Sequence, residues 1–242
     1  MIACVSVENM RNSDAYTISN HVPSLELMHR AAFGVFKAVK WQGRTAIVVG
    51  SGNNGGDGFA LACILAEKDF DCTVFTLTEQ ISHDSAFYAQ KALSSGVVVA
   101  PFTCHCLNGY DIIVDCLLGT GFHGVVREPY KTAIHAINDS RAYVVSVDIN
   151  SGMDGNTGNA ELAVKSDLTV TIGYVKTGLI TQAAGKYIKR LVCADIGIKL
   201  IQQERQICTT DQWHRANNKQ NLVQCPQWLD MNLIDATGTF TE

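Results

Sequence analysis

Residues 47–58 read IVVGSGNNGGDG, and this stretch decides the class of fold. Three β-forming residues run directly into a segment with five glycines. Gly50, Gly52 and Gly55 match the spacing G-x-G-x-x-G, in which absent side chains permit a tight turn and close approach of a phosphate. The helix that follows such a turn offers its positive N-terminus to an anion. The stretch therefore predicts a strand, a turn and a helix of an α/β sheet.

The chain repeats this alternation of strand and helix to about residue 198. Apolar runs such as AIVV, IIV and YVVSV are typical of strands buried on both faces of a parallel sheet. We therefore predict a three-layer α/β/α, Rossmann-like fold with a mostly parallel central sheet and extra N-terminal helices. The predicted strands are 45–50, 72–77, 97–100, 111–115, 143–148, 167–172 and 191–196, and the predicted helices include 24–39, 58–68, 84–95 and 129–138.

Length and composition limit the function. The 242 residues suit one α/β domain, here 1–198, with a C-terminal extension at 199–242 whose role the sequence does not reveal. A net charge of −4 argues against a broad nucleic-acid surface, and no apolar run reaches the ~20 residues that cross a bilayer. Residues 1–14 lack a signal-peptide pattern. Nine scattered cysteines are typical of reduced thiols, so we expect a cytoplasmic protein.

Three predicted strands end in loops of similar character. The first loop carries Asn53, Asn54 and Asp57, the second follows Asp115 with CLLGTGFHG, and the third follows Asp148 with INSGMDGNTG. Because the carboxyl ends of parallel strands meet at one edge of a sheet, we expect the three loops to share a pocket.

The side chains of these loops favour a cation over a plain phosphate cradle. Asp57 would repel a phosphate, whereas the oxygens of Asn54, Asp115 and Ser151 are hard donors that suit a hard cation. Few charged ligands, together with main-chain carbonyls, fit a monovalent ion such as potassium better than magnesium. A carboxylate beside that ion is also a natural acid–base group, and we assign the catalytic role to Asp115.

Structural alternatives remain for these residues. Asp115 and Asp148 could brace the turns that follow their strands, and Asp57 could complement the dipole of its helix. His123 is more typical of an exposed loop histidine than of a titrating site residue. Lys176 follows the strand TVTIGY, and its role is left open.

Together, GSGNNGGDG, VDCLLGTGFHG followed by VREPY, and VDINSGMDGNTG resemble the NAD(P)H-hydrate epimerases, also called YjeF N-terminal domains. The resemblance covers about residues 5 to 198. It implies an isomerase that interconverts the R and S forms of hydrated NADH and NADPH, a cofactor-repair step that feeds a separate dehydratase. It also implies a homodimer formed through the N-terminal helices. The alternative within the same fold is a non-catalytic dimeric scaffold or nucleotide-binding module.

The resemblance also implies the site residues. Potassium would be bound by Asn54, Asp115 and Ser151. The residues expected to line the substrate, NADHX or NADPHX, are Asn53, Asn54, Gly55, Gly56, Asp57, Gly119, Thr120, Gly121, Phe122, His123, Gly124, Val125 and Asp148.

Two departures from the family pattern bear on function. Asn150 replaces the usual proline of the third loop, so we expect Ser151 to be less rigidly held. About 44 residues follow Ile198, which is too few for the dehydratase domain of bifunctional relatives. We therefore expect no dehydratase activity from this chain.

Overall fold

An eight-stranded sheet, parallel throughout, forms the centre of the protein in a computed structural model that describes residues 1–237. In chain order the strands are β1 (Ile2–Val5), β2 (Thr45–Val49), β3 (Cys72–Thr76), β4 (Val98–Pro101), β5 (Ile112–Cys116), β6 (Tyr143–Val147), β7 (Leu168–Ile172), β8 (Val175–Lys176), β9 (Leu191–Asp195), β10 (Arg205–Cys208), β11 (Leu222–Gln224) and β12 (Leu229–Asp235). The α-helices are α1 (Val7–Asn20), α2 (Ser24–Ala38), α3 (Asn53–Glu67), α4 (His83–Ser94), α5 (Tyr130–Asn138) and α6 (Thr210–Arg215).

The strand order of the main sheet fixes where a ligand can bind. The order is β12-β9-β7-β6-β5-β2-β3-β4, so the chain runs outward in opposite directions from β2 and β5. In open α/β sheets, ligands occupy the crevice at the carboxyl ends of the strands where this reversal occurs. The glycine-rich segment after β2 and the loop after β5 both lie at that crevice.

Alternate residues of β2 show why the fold has three layers. Ile47 and Val49 pack into a cluster with residues of α2, α3 and α4, whereas Ala46 and Val48 pack with residues of α5. All five residues of β2 are buried, as expected for a strand covered by helices on both faces. The three-layer α/β/α prediction is confirmed, and the sheet proves wholly parallel.

The start of α3 differs from the prediction. The glycine-rich segment was expected to be a loop as far as Gly58, but α3 begins at Asn53 with Gly52 as its N-cap. Close packing explains the glycines inside this helix. A Cβ on Gly55 would lie 2.3 Å from the carbonyl oxygen of Gly50, and one on Gly58 would lie 2.8 Å from Val49 Cγ1. The first turn of α3 therefore rests directly on the end of β2.

A second sheet, ordered β11-β10-β1-β8, was not predicted. The first forty residues were expected to be helical, yet Ile2–Val5 form β1, which runs parallel to β8 and antiparallel to β10. The Ser6 side chain then caps α1 by accepting from the Asn9 amide. The pairing of β1 with β8 carries α1 across the crevice of the main sheet.

The extension beyond residue 198 packs against both sheets. Its strand β10 pairs with β1, and its strand β12 pairs with β9 at the edge of the main sheet. The indole of Trp228 donates to the carbonyl of Leu179 at 3.0 Å. The division at residue 198 stays a prediction, but the described part of the extension is integrated into the fold.

Candidate active site at the carboxyl edge of the sheet

Two adjoining cavities open where β2 and β5 end. One is a cleft of about 620 Å³, and the other is a smaller cavity of about 140 Å³ that runs under α1 and α2. A groove of about 820 Å³ lies at the opposite edge beside Asp111 and Ala142, where strands begin. The carboxyl edge is the ligand-binding edge of such sheets, so the two adjoining cavities mark the candidate site. The wall shared by both comprises Arg11, Asp14, Asn53, Asp57, Thr120 and Asp148.

The three loops converge as predicted. Asn54 Nδ2 donates to the carbonyl oxygen of Leu118 at 3.0 Å, and the Leu118 amide donates to Ser151 Oγ at 2.9 Å. A Cβ added to Gly119 would lie 3.3 Å from Asn54 Cβ and 3.5 Å from Asp148 Oδ2. Residues from the ends of β2, β5 and β6 therefore meet at one point.

Asp115 lies beneath this point, at the penultimate position of β5, and is fully buried. Ser151 Oγ donates to Asp115 Oδ1 at 2.5 Å, and the Leu117 amide donates to Oδ1 at 3.2 Å. The Ser146 hydroxyl at 2.9 Å and the Ser151 amide at 3.0 Å donate to Oδ2. Burial raises the pKa of the Asp115 carboxyl, and the hydrogen bonds from Ser151, Ser146 and Leu117 oppose that rise.

The oxygens around Leu118 fit a monovalent cation. Asn54 Oδ1 is buried and accepts no hydrogen bond from any described residue, an arrangement that costs free energy unless a ligand satisfies the oxygen. The bond from Nδ2 to Leu118 holds the amide in this orientation. The donor set around it combines amide, hydroxyl and carbonyl oxygens with the single carboxylate of Asp115, which favours a singly charged ion.

Asp148 occupies the cavity wall in a strained conformation. Its φ of 68° lies in the left-handed region, which residues other than glycine adopt rarely and often at functional sites. The ammonium of Lys176, on β8, donates to Asp148 Oδ1 and also to the carbonyl of Ile172 at 2.6 Å. Lys176 is 1% exposed and Asp148 is 14% exposed, so the pair is almost wholly removed from water.

Asp57 lies in the first turns of α3 and lines both cavities. No hydrogen bond or ion pair holds its carboxyl within residues 1–237, so the group is free to meet a ligand. Burial raises the pKa of Asp57 well above its ordinary value, the charges of Asp148 and Asp14 raise it further, and Lys176 opposes them. The neighbouring Asn53 is held differently, since its Oδ1 accepts from the Ser82 hydroxyl at 2.8 Å.

Comparison with known proteins agrees with this geometry. The family model described as YjeF-related protein N-terminus matches residues 24–178. The chain belongs to this family. It is 35% identical over 199 residues to the NAD(P)H-hydrate epimerase of Limosilactobacillus fermentum. That alignment covers 79% of this chain and 95% of the relative.

A second relative is longer than this family domain. The bifunctional NAD(P)H-hydrate repair enzyme Nnr of Archaeoglobus fulgidus is 38% identical over 176 residues, or 72% of this chain, but the chain spans only 36% of its length. The crystal structure of a yeast protein, ynu0, superposes with a TM-score of 0.71 at 21% identity, covering 81% of this chain and 90% of that one. The similarity to the yeast protein supports the fold alone.

The predicted substrate-lining residues of this YjeF-related domain divide into three groups. Asn53, Asn54, Asp57, Asp148 and the segment 119–123 line the 620 Å³ cleft. Gly124 and Val125 line a neighbouring surface groove instead. Gly55 and Gly56 are buried in packing contacts. A substrate-binding role stays a prediction for all of these residues.

Sequence reasoning missed the contribution of α1. Arg11 and Asp14 line both cavities, although both lie outside the segment that the family model matches. Met10 from α1 and Met28 from α2 add apolar wall to the smaller cavity. No local signal in α1 points to the site, because the long-range pairing of β1 with β8 places it there.

Asn150, which stands where the family pattern has proline, is held by side-chain hydrogen bonds. It is fully buried, its Nδ2 donates to the carbonyl of Val164 at 2.9 Å and to Ser166 Oγ at 3.0 Å, and its Oδ1 accepts from Thr169 at 2.6 Å. The expectation that Ser151 is less rigidly held stays a prediction, which these hydrogen bonds weigh against. The side chain supplies the restraint that a proline ring would supply through its fixed φ.

Proposed function

We propose that the protein is an NAD(P)H-hydrate epimerase, an isomerase that interconverts the R and S forms of NADHX and NADPHX in nicotinamide-cofactor repair. The observation that carries the proposal is the meeting of Asn54, Asp115 and Ser151 beside a cleft bearing Asp57 and Asp148. The relatives from lactic-acid bacteria carry the same activity in their names. A cleft of about 620 Å³ falls in the usual size range of small-ligand sites.

The N-terminus of α3 supports a site for the substrate phosphates. Its N-cap Gly52 offers no side chain to the first-turn amides, and Ser51 to Asn54 line the cleft. Unpaired helix amides attract phosphate groups. Asp57 and Asp148 would bind neutral donors of the substrate, such as hydroxyls. The proposed substrate-binding residues are Asn53, Asn54, Gly55, Gly56, Asp57, Gly119 to Val125, and Asp148.

Potassium is the proposed cofactor, with Asn54, Asp115 and Ser151 as its ligands. The unpaired buried oxygen of Asn54 is the observation that supports this proposal. The ion would supply electrostatic anchoring beside the reacting ring. Asp115 and Ser151 line neither cavity, so the catalytic role predicted for Asp115 stays a prediction.

The deciding experiment is epimerisation itself. Purified R-NADHX and S-NADHX would each be incubated with the protein in KCl, and the two epimers separated by chromatography. We expect both to reach one mixture much faster than in buffer alone. An unchanged rate would refute the proposal and favour a non-catalytic scaffold of the same fold, and equilibrium binding of NADHX would then distinguish a binding module from an inert one.

Three further properties are proposed. The bifunctional relatives support a functional link to a dehydratase. All nine cysteines are unpaired, as expected in a reducing cytoplasm.

A homodimer through the N-terminal helices is supported by Tyr16 and Ile18, which are exposed on α1, and light scattering at several concentrations would test it. Among the described residues, no helix has the length and apolar character to span a membrane.

A further inference from the structure

Three carboxylates share one cavity wall, although they come from distant parts of the chain. Asp14 comes from α1, Asp57 from α3 and Asp148 from the turn after β6. Only Asp148 is paired, with Lys176. The carboxyls of Asp14 and Asp57 form no hydrogen bond or ion pair within the described residues.

The single buried cation of this wall has no hydrogen-bond donor left for the other two acids. Besides Asp148, the ammonium of Lys176 donates to the carbonyl of Ile172 at 2.6 Å and to Thr171 Oγ1 at 3.2 Å. An ammonium has three protons, so its donors are fully used. Asp14 and Asp57 then remain as like charges on the same cavity wall, an arrangement that disfavours ionisation of both.

The directions in which the pKa values of Asp14 and Asp57 shift agree with this arrangement of charges. Burial raises the pKa of Asp14, with Lys176 opposing and Asp148 adding to the rise. The pKa of Asp57 is raised further from its ordinary value, again chiefly by burial, and Asp14 contributes to that rise. Of Asp14 and Asp57, Asp57 is therefore the group whose protonated form is favoured more strongly.

We propose that Asp57 is a catalytic residue that gives a proton to the substrate's ring nitrogen and receives the hydroxyl proton in return, with Asp14 as the neighbour that keeps Asp57 protonated. This role rests on the proposed epimerase function. The reacting carbon of the hydrate bears both a hydroxyl and the ring nitrogen, so it is a hemiaminal. A single carboxyl that both donates and accepts can open and close such a centre.

The step balances without an oxidant or any other reactant. The bond between carbon and ring nitrogen breaks, its electron pair goes to nitrogen, and nitrogen takes the Asp57 proton. The O–H electron pair forms the carbonyl of an open-chain aldehyde, and the hydroxyl proton goes to the Asp57 carboxylate. Rotation of the aldehyde followed by the reverse step closes the ring with the opposite configuration. Asp57 ends in its starting protonation state.

Other ionisable groups near Asp57 do not replace it in this role. Asp115 has both oxygens engaged by four hydrogen bonds and lines neither cavity. The residues that α2 adds to the smaller cavity, which include Leu27 and Met28, carry no charge. The charged or titratable groups facing Asp57 from the surrounding elements are Arg11 and Asp14 of α1, Asp84 and Tyr88 of α4, Cys116 of β5, Asp148 and Lys176.

The test compares kcat and KM for NADHX in the wild type, Asp57→Asn and Asp57→Ser across pH 5 to 9. We expect each substitution to lower kcat at least about 100-fold with KM changed less than about threefold. Asp139→Asn, in the groove at the opposite edge of the sheet, is the control and should retain wild-type kcat. Thermal midpoints of all variants would establish that they fold.

The variant Asp14→Asn tests whether Asp14 keeps Asp57 protonated. In the wild type, kcat should fall as pH rises through the pKa of Asp57, since the protonated form is needed. Removing the Asp14 charge should move this fall at least about half a pH unit lower. An active wild type whose Asp57 variants keep more than a third of kcat, or whose pH profile is unmoved in Asp14→Asn, would overturn the proposal and leave the epimerase function standing. A wild type without turnover would overturn both.

Discussion

The ammonium of Lys176 and the carboxylate of Asp148 form an ion pair at the wall of the site, with the lysine 1% exposed and the aspartate 14% exposed. The pair joins the second sheet to the third loop, because Lys176 ends β8 and Asp148 follows β6. Asp148 takes its left-handed conformation where this lysine reaches it. The pair therefore fixes one wall of the site and supplies its main buried positive charge.

Replacing Lys176 by methionine should strongly destabilise the protein. The change leaves the buried Asp148 charge uncompensated beside Asp57 and Asp14, and losing one partner of a buried pair typically costs about 3–5 kcal/mol. Chemical denaturation at pH 7 would measure the loss. Lys189→Met is the matched control, because Lys189 pairs with Asp167 at 2.6 Å but is 78% exposed, and it should leave the midpoint nearly unchanged. Equal losses in both variants would contradict this account of the pair.

The sequence predicted the main sheet and the convergence of its loops because both follow from local patterns. The run TAIVV predicts a strand buried on both faces wherever it lies, and parallel strands bring their carboxyl ends together. The start of α3 was misplaced because glycine has low helix propensity, whereas contacts with β2 determine the choice of glycine here. Those contacts join segments that no local window compares.

Binding of potassium should depend on Asn54. Increasing KCl should raise both the epimerisation rate and the thermal midpoint of the wild type relative to choline chloride, since a ligand of the folded state stabilises it. In Asn54→Ala, the half-saturating KCl concentration should rise at least about tenfold. Asn20→Ala removes an exposed amide at the end of α1 and serves as the control. A midpoint that responds equally to KCl in Asn54→Ala would remove Asn54 from the ligand set.

Two glycines of the motif should differ sharply in their tolerance of alanine. A Cβ at Gly50 would lie 2.0 Å from the carbonyl oxygen of Leu117, whereas one at Gly52 would meet nothing within 4 Å. Gly52 also has an extended conformation, with φ −88°, that alanine adopts easily. We expect Gly50→Ala to lose about 1–3 kcal/mol of unfolding free energy and Gly52→Ala to lose little. Equal tolerance would show that the first and second loops can separate.

Replacing Asn150 by the family's usual proline should lower the stability of this protein. Asn150→Pro removes the buried amide and leaves Thr169, Ser166 and the carbonyl of Val164 short of partners. Each unsatisfied buried group costs about 1–3 kcal/mol. Asn150→Ala also lacks the side-chain amide, so it should lose a similar amount of unfolding free energy. Unlike proline, alanine keeps the backbone N–H. A proline variant as stable as the wild type would show that its ring compensates fully.

The parts of the site that sequence could not predict come from long-range pairing. Asp14 reaches the cavity because β1 pairs with β8, at the register Val5 with Lys176. That same register puts Lys176 in the second sheet, close to Asp148. Neither fact leaves a trace in local periodicity, so the role of Lys176 stayed open and Asp14 was not recognised.

Asp57 should make the protein less stable as pH rises. Its folded-state pKa lies above the ordinary value of 3.8, so the folded protein binds more protons than the unfolded chain between those two pKa values. Stability is therefore lost as pH rises through that window. Asp57→Asn cannot ionise, so we expect a higher thermal midpoint than the wild type at pH 7, with the advantage vanishing as pH falls toward 4.

Asp154 provides a control of opposite sign. Hydrogen bonds from Thr157 and Asn156 lower its pKa despite the opposing effect of burial, so its stabilising contribution is present above the ordinary value and is lost on acidification. Asp154→Asn should therefore be less stable than the wild type at pH 7 and approach it at low pH. Midpoints from calorimetry at pH 4, 5.5 and 7 would separate the two patterns. If Asp57→Asn followed the pattern of Asp154→Asn, the Asp57 carboxyl would be ionised and stabilised in the folded protein, and it could not be the proton donor.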